Sequence, residues 1–231
     1  MQTVLMTGAN RGIGLEFCRQ YADAGWQVLA TCREPTKAEA LNELARQYAN
    51  MQVYALDVAD FEQITALSRT LVDMTVDVLL NNAGIYPDTS TTTFGHLNDQ
   101  DWAQAFRVNT MAPVKLAEAF LPQIQRSQTR LLVSISSLMG SIADNTSGGS
   151  LLYRSSKAAL NATMKSLAID LKPAGIGVLI LHPGWVKTDM GGQNALIHTS
   201  ESVSGMRLCI EGFLPAQSGC FFKYDGSLLP W

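Results

Sequence analysis

The chain has 231 residues, 47% of them hydrophobic and 16% charged, with a net charge of −3. That length and apolar content suit one α/β domain with a substantial core, and the slight negative charge offers no basic field for a phosphate backbone, so no nucleic-acid partner is expected. The opening stretch MQTVLMTGAN lacks a secretory pattern and no apolar run reaches about 18 residues, so the chain reads as cytoplasmic with no membrane partner.

In chain order, short apolar runs alternate with segments of helical period. TVLMT (3–7) reads as a strand, followed by a helix over LEFCRQYADAG (15–25) with a stop signal at Gly25. QVLAT (27–31) and AEALNELARQY (38–48) repeat the pattern, as do QVYAL (52–56) and FEQITALSRTLVDM (61–74). VDVLL (76–80), RLLVSIS (130–136) and GVLIL (177–181) are further strands, with a helical run AALNATMKSLAIDL (158–171) before the last. Each strand reads as buried on both faces, the mark of a parallel sheet covered by helices. The expectation is a single-domain Rossmann fold over residues 1–231, a doubly wound parallel sheet of about seven strands with helices on both faces. Cys18, Cys32, Cys209 and Cys220 contain no CxxC pair and read as reduced thiols.

The first strand runs into TGANRGIG, which sets Gly8, Gly12 and Gly14 at the start of a helix. Gly8 suits the tight turn, Gly12 lets backbone approach a pyrophosphate, and Gly14 allows close helix packing, with Asn10, Arg11 and Ile13 in the same turn. After the second strand an acidic residue would receive the adenosine ribose, yet Arg33 stands there and Arg11 lies in the turn. Two guanidinium groups beside one phosphate favour NADPH over NADH, with Glu34 as the competing ribose acceptor. Further along, YRSSK puts Tyr153 and Lys157 on one helix face. An ammonium beside a phenol stabilises the phenolate and would lower its pKa from near 10. His96, His182 and His198 share no ligand spacing, so no metal is expected.

TGANRGIG, NNAG (81–84), YRSSK and PGWVKTD (183–189) stand in the order and approximate spacing of the short-chain dehydrogenase/reductase family, which the chain resembles over essentially its whole length. More narrowly it resembles the carbonyl-reductase-like branch containing sniffer-like and C-signal-like proteins, on YRSSKAALNATMKSL and the ending GCFFKYDGSLLPW. The resemblance implies a catalytic set of Asn109, Ser137, Tyr153 and Lys157. Tyr153 would donate the proton and Lys157 would tune it and hold the nicotinamide ribose. Ser137 would bond the substrate carbonyl while Ser136, by strand alternation, points away. The Asn109 backbone would hold a water relaying protons to the lysine.

For the cofactor, the resemblance places Asp57 and Val58 at the adenine and Asn82, Ala83 and Gly84 at the ribose, with Asn81 bracing the sheet. Pro183 and Gly184 would turn under the nicotinamide, Val186 and Thr188 would hold its carboxamide, and the pro-S hydrogen would be transferred. Residues from Thr188 to about Met206 would form a flexible lid, and Tyr86, Met139, Trp185 and Met190 are candidates for an apolar substrate pocket. A homodimer or homotetramer, paired through the helices holding Asn109 and Tyr153, is expected. The implied activity is reduction of an aldehyde, ketone or quinone-like carbonyl to an alcohol. The alternative is a cofactor-binding sensor or C-signal-like signalling protein, which would need the glycine turn but not the tyrosine.

Overall fold

The computed structural model describes residues 1–231. The apolar runs become β1 (Thr3–Met6), β2 (Gln27–Cys32), β3 (Met51–Ala55), β4 (Val78–Asn81), β5 (Leu131–Ile135) and β6 (Gly177–His182), joined by a seventh strand, β7 (Phe221–Lys223). All pair in parallel, in the order β3-β2-β1-β4-β5-β6-β7. The intervening helices are α1 (Gly12–Asp23), α2 (Glu39–Gln47), α3 (Phe61–Thr70), α4 (Asp99–Phe106), α5 (Ala112–Gln125), α6 (Leu151–Asp170) and α7 (Thr199–Glu211). Along β1, Val4 and Met6 join the core under α1, α2 and α7, while Leu5 joins the one under α3, α5 and α6. This alternation is why one short strand serves two cores and must be apolar throughout.

The chain winds outward from β1 to β3, then returns to start the other half at β4. Neighbouring strands β1 and β4 therefore send their continuations in opposite directions, which opens a crevice at their carboxyl ends. The glycine turn leaves β1 there and NNAG leaves β4, so topology alone brings the two motifs together. Gly25 closes α1 as expected, with φ 76° and Trp26 N–H returning to the Tyr21 carbonyl. No helix is long and apolar enough to cross a membrane.

Three elements differ from the sequence reading. Strand β3 lies at the sheet edge, and of its residues only Met51 is buried, so it is not covered on both faces. Strand β7 falls within the ending quoted above, too short to show a period. Its outer edge is closed by the chain's own return: Lys223 N–H donates to Ser227 O and Leu229 N–H to Phe221 O, both at 2.8 Å. Residues from Thr199 onward, read as lid, form α7. Their small polar side chains hid the helical spacing of Val203, Met206 and Ile210, which bury a stripe in the core beside α1.

At the opposite end from the crevice, Asp77 ties three elements together. It accepts from Thr3 N at 2.7 Å and from Ser127 Oγ at 2.5 Å, joining β1, β4 and the turn into β5. Asp77→Ala leaves two buried donors unmet and should lower unfolding free energy by about 3 kcal/mol in urea titration, with Asp77→Asn losing less.

Candidate active site

A cavity of about 840 Å³ runs from the glycine turn to α6. Gly8, Asn10, Arg11, Gly12, Ile13 and Gly14 line one end, and Tyr153 and Lys157 line the other. A Cβ on Gly14 would stand 2.1 Å from the Gly8 carbonyl oxygen, so the helix can start this close to the turn only with glycine there. Arg33, Asp57, Val58, Asn82, Ala83 and Gly84 also line the cavity, as do Pro183 and Thr188. Asn109, Ser137, Gly184 and Val186 lie outside its wall.

Several of these residues have work within the chain. The Asn82 amide donates to the carbonyls of Thr7 and Gly8, both at 3.0 Å, so it braces the glycine turn. Asn81 spans β4 to β5 through Ser134 at 3.4 Å, as expected of a sheet brace. Asp57 accepts from Ala59 N at 2.9 Å, shaping the turn after β3. Arg33 is exposed at the cavity, whereas Glu34 beside it is paired with Lys37. Arg11 is paired with Asp189 at 2.6 Å, across from the glycine turn, with both side chains more than half exposed (61% and 77%). An exposed pair of this kind is weak and exchanges readily for a stronger anion.

Tyr153 and Lys157 both belong to α6 and are both buried, Lys157 to 4% exposure. The Lys157 ammonium donates to the Ile135 carbonyl at 2.9 Å and has no carboxylate partner. Burial lowers its pKa to about 8. Burial also pushes the Tyr153 phenol up to about 12, hydrogen bonding to Ser137 works against this, and Tyr86 adds to it. The expected lowering of the phenol by Lys157 is not met in this arrangement. The ammonium stands 5.8 Å from the tyrosine ring centre and faces a carbonyl, so desolvation prevails.

The surroundings of α6 are closely fitted. Gly140 packs against its backbone at Lys157, where a Cβ would come within 2.8 Å, and this brings the Ser137 turn alongside. Ser137 accepts from Met139 N at 3.1 Å, while Ser136 donates to Asn161 Oδ1 at 2.6 Å and, unlike Ser137, lines the cavity. Asn109 lies in a π-helical stretch, Arg107–Met111, between α4 and α5. Four residues on stands Pro113, which has no N–H, so the Asn109 carbonyl cannot make an α-helical bond. Its side-chain amide holds Ile85 at both N and O, each at 2.9 Å, and reaches Ser156 Oγ at 3.0 Å. Ser156 is part of YRSSK and was passed over in the sequence, because a bond between two helices leaves no local signal.

After β6, Gly184 has φ 84°, and any Cβ there would strike Ile197 at 2.7 Å. Val186 bridges to Ile197 and is buried, so the root of the 185–197 segment is pinned. Thr188 Oγ1 accepts from Gly191 N at 3.1 Å. Trp185 is half exposed and donates to Gly191 O at 2.8 Å, and Met190 lines the cavity. Tyr86 packs against Tyr153 with ring centres 4.7 Å apart and the ring planes tilted by 49°. Lys187 and Asp189, which the sequence reading did not assign, also line the cavity. Burial lowers His182 to about 4, which leaves it neutral near pH 7.

A doubly wound sheet with a glycine turn, an NNAG turn and a Tyr–Lys pair on one crevice defines a nucleotide-dependent oxidoreductase of the short-chain type. Residues 2–196 match the family described as short chain dehydrogenase, and the chain belongs to that family. Its fold is similar to the carbonyl reductase Sniffer of D. melanogaster, with a TM-score of 0.93, 36% identity and 100% of both chains covered. An NADPH-bound carbonyl reductase from chicken fatty liver is equally similar in fold, with a TM-score of 0.93, 34% identity, and 100% of this chain and 99% of that one covered. The C-signal protein of Myxococcus xanthus is 43% identical over 156 residues, 68% of this chain and 93% of that protein.

A lysine whose folded pKa lies below its unfolded value of 10.5 holds fewer protons folded than unfolded between about pH 8 and 10.5, so stability rises with pH across that window. The difference in unfolding free energy between wild type and Lys157→Met should therefore rise by about 3 kcal/mol from about pH 7 to 10.5. Urea titrations at stepped pH measure it, and a flat difference would contradict the buried ammonium.

Proposed function

We propose that this chain is an NADPH-dependent reductase that converts an aldehyde, ketone or quinone-like carbonyl to an alcohol. The observation that carries the reading is that Tyr153 and Lys157 line the same cavity as the glycine turn. The residues fit the cofactor. Gly8, Gly12 and Gly14 keep the turn free of side chains, the amino end of α1 would face the phosphates, and Arg33 and Arg11 would suit a 2′-phosphate. When bound, the cofactor supplies the hydride.

The chain's own residues do the rest. Tyr153, protonated at neutral pH and held further from ionising by burial, gives its proton to the developing alkoxide. Ser137, beside it, holds the carbonyl oxygen within reach. Lys157 keeps a positive charge below about pH 8, which favours the phenolate left behind and holds ribose hydroxyls. The carbonyl of Asn109, released from the helix by Pro113, holds the water that returns a proton toward the lysine. Val186 and Thr188 would hold the carboxamide of the nicotinamide and so set which ring face is presented for transfer of the pro-S hydrogen. The chain works in the cytoplasm as a homodimer or homotetramer joined through α6 and the helical segment that holds Asn109 and continues into α5.

One observation favours a second reading, a cofactor-binding signalling protein: among the relatives above, the one with the highest identity bears the name C-signal. A binding module of that kind has no use for a desolvated tyrosine beside a desolvated lysine.

Purified protein should oxidise NADPH in the presence of a panel of aliphatic, aromatic and quinone carbonyls, with NADH a poorer donor, and Tyr153→Phe should reduce kcat at least about a hundredfold. Arg33→Ala should weaken NADPH binding about tenfold or more while leaving NADH within about twofold. NADPH binding with no turnover on any carbonyl would instead support the signalling reading.

A further inference from the structure

Helix α6 begins without a cap of its own. Ser150 precedes it in left-handed backbone, φ 46°, makes no side-chain bond to the helix, and no acidic residue occupies the first turn. Tyr153 is the third residue of the helix, so its N–H is one of the four that lack an acceptor within the helix. Asp88, from the loop after β4, meets this end: one carboxylate oxygen accepts from Leu152 N at 3.2 Å and the other from Tyr153 N at 2.8 Å. Two residues earlier, Tyr86 shares a hydrogen bond with Ser150 Oγ at 2.6 Å and lays its ring against that of Tyr153.

Neither Tyr86 nor Asp88 lines the cofactor cavity. Both are carried by the chain that continues from NNAG, and Ile85 between is held at both its N and O by Asn109. The strained backbone of Ser150 is what such over-determination allows, because a left-handed non-glycine residue persists only where its surroundings hold it. A carboxylate at a helix amino end is also favoured by the helix dipole.

We propose that Tyr86 and Asp88 form a clamp that positions Tyr153 for proton transfer, an inference that rests on the reductase reading above. Asp88 fixes the backbone from which the phenol projects, and Tyr86 fixes the rotation of its ring. The first turn is the part of a helix most prone to fray, and proton transfer needs heavy atoms within hydrogen-bond reach. The clamp removes that freedom at the one residue where it matters. Asp88 is thus a positioning residue, acting through Tyr153.

The test compares Asp88→Ala, Asp88→Asn and Tyr86→Leu with wild type for carbonyl kcat and KM, NADPH dissociation constant, thermal unfolding and amide exchange. Asp88→Ala should lower kcat about tenfold or more while NADPH affinity stays within about twofold. Asp88→Asn, which keeps an acceptor oxygen, should recover most of the loss, and Tyr86→Leu should lower kcat without weakening NADPH binding. Unchanged kcat in Asp88→Ala overturns the clamp, as does a kcat loss matched by an equal loss of folded, NADPH-binding protein. Should Asp88→Ala not fold, unchanged kcat in Tyr86→Leu has the same force. Wild-type protein with no carbonyl turnover overturns the reductase reading and the catalytic role with it, whereas unprotected Leu152 and Tyr153 amides in wild type overturn the clamp alone.

Discussion

A lysine buried without a carboxylate is the constraint around which this site is built. Lys157 has one carbonyl for company and gives up most of its hydration, a penalty that other parts of the fold must offset. The two apolar cores on either side of the sheet supply that stability, and the parts next to the lysine are packed closely around it. Gly140 lets a turn sit against its backbone, and Ser156 and Asn109 tie its helix to the next. A Cβ on Gly84 would come within 3.5 Å of the ammonium. Small residues pack closely around this charge, and a charge with so little exposure interacts more strongly with nearby protons and dipoles than it would in water.

The same arrangement explains why regular structure yields nearby. The helix holding Asn109 widens into a π-helical stretch where Pro113 denies it a hydrogen bond, and a residue with a side chain enters α6 in left-handed backbone. Both depart from the local preferences that the rest of the chain obeys. Such departures concentrate where a fold serves chemistry, because there the geometry of the site outweighs the preference of the segment.

Much of the fold was legible because buried parallel strands need apolar residues on both faces and leave unbroken runs, as at VDVLL and GVLIL. The glycine turn was legible because its requirement is local: three glycines at a fixed spacing between a strand and a helix. Strand β7 was not, since three residues show no period, and α7 was mistaken for lid because serines and glycines mask a spaced apolar stripe. At the site, the pairing of Tyr153 with Lys157 follows from helix geometry, but the direction of the tyrosine's pKa does not. Depth of burial belongs to the tertiary structure, and it reversed the sign expected from the neighbouring charge. Asp88 was invisible for a related reason, since it meets α6 across 64 positions of chain.

The short return of the chain beyond β7 has a bearing on how molecules of this protein meet one another. An outer strand with free amides and carbonyls is a template on which a second chain can lay its own strand and continue the sheet. Here Ser227 and Leu229 already occupy those positions along β7, and the other outer strand, β3, presents Gln52 and the half-covered Val53 and Tyr54 rather than a flat apolar row. Along β7 the chain thereby occupies with its own backbone the positions a second strand would need, a form of self-insulation built into its last residues.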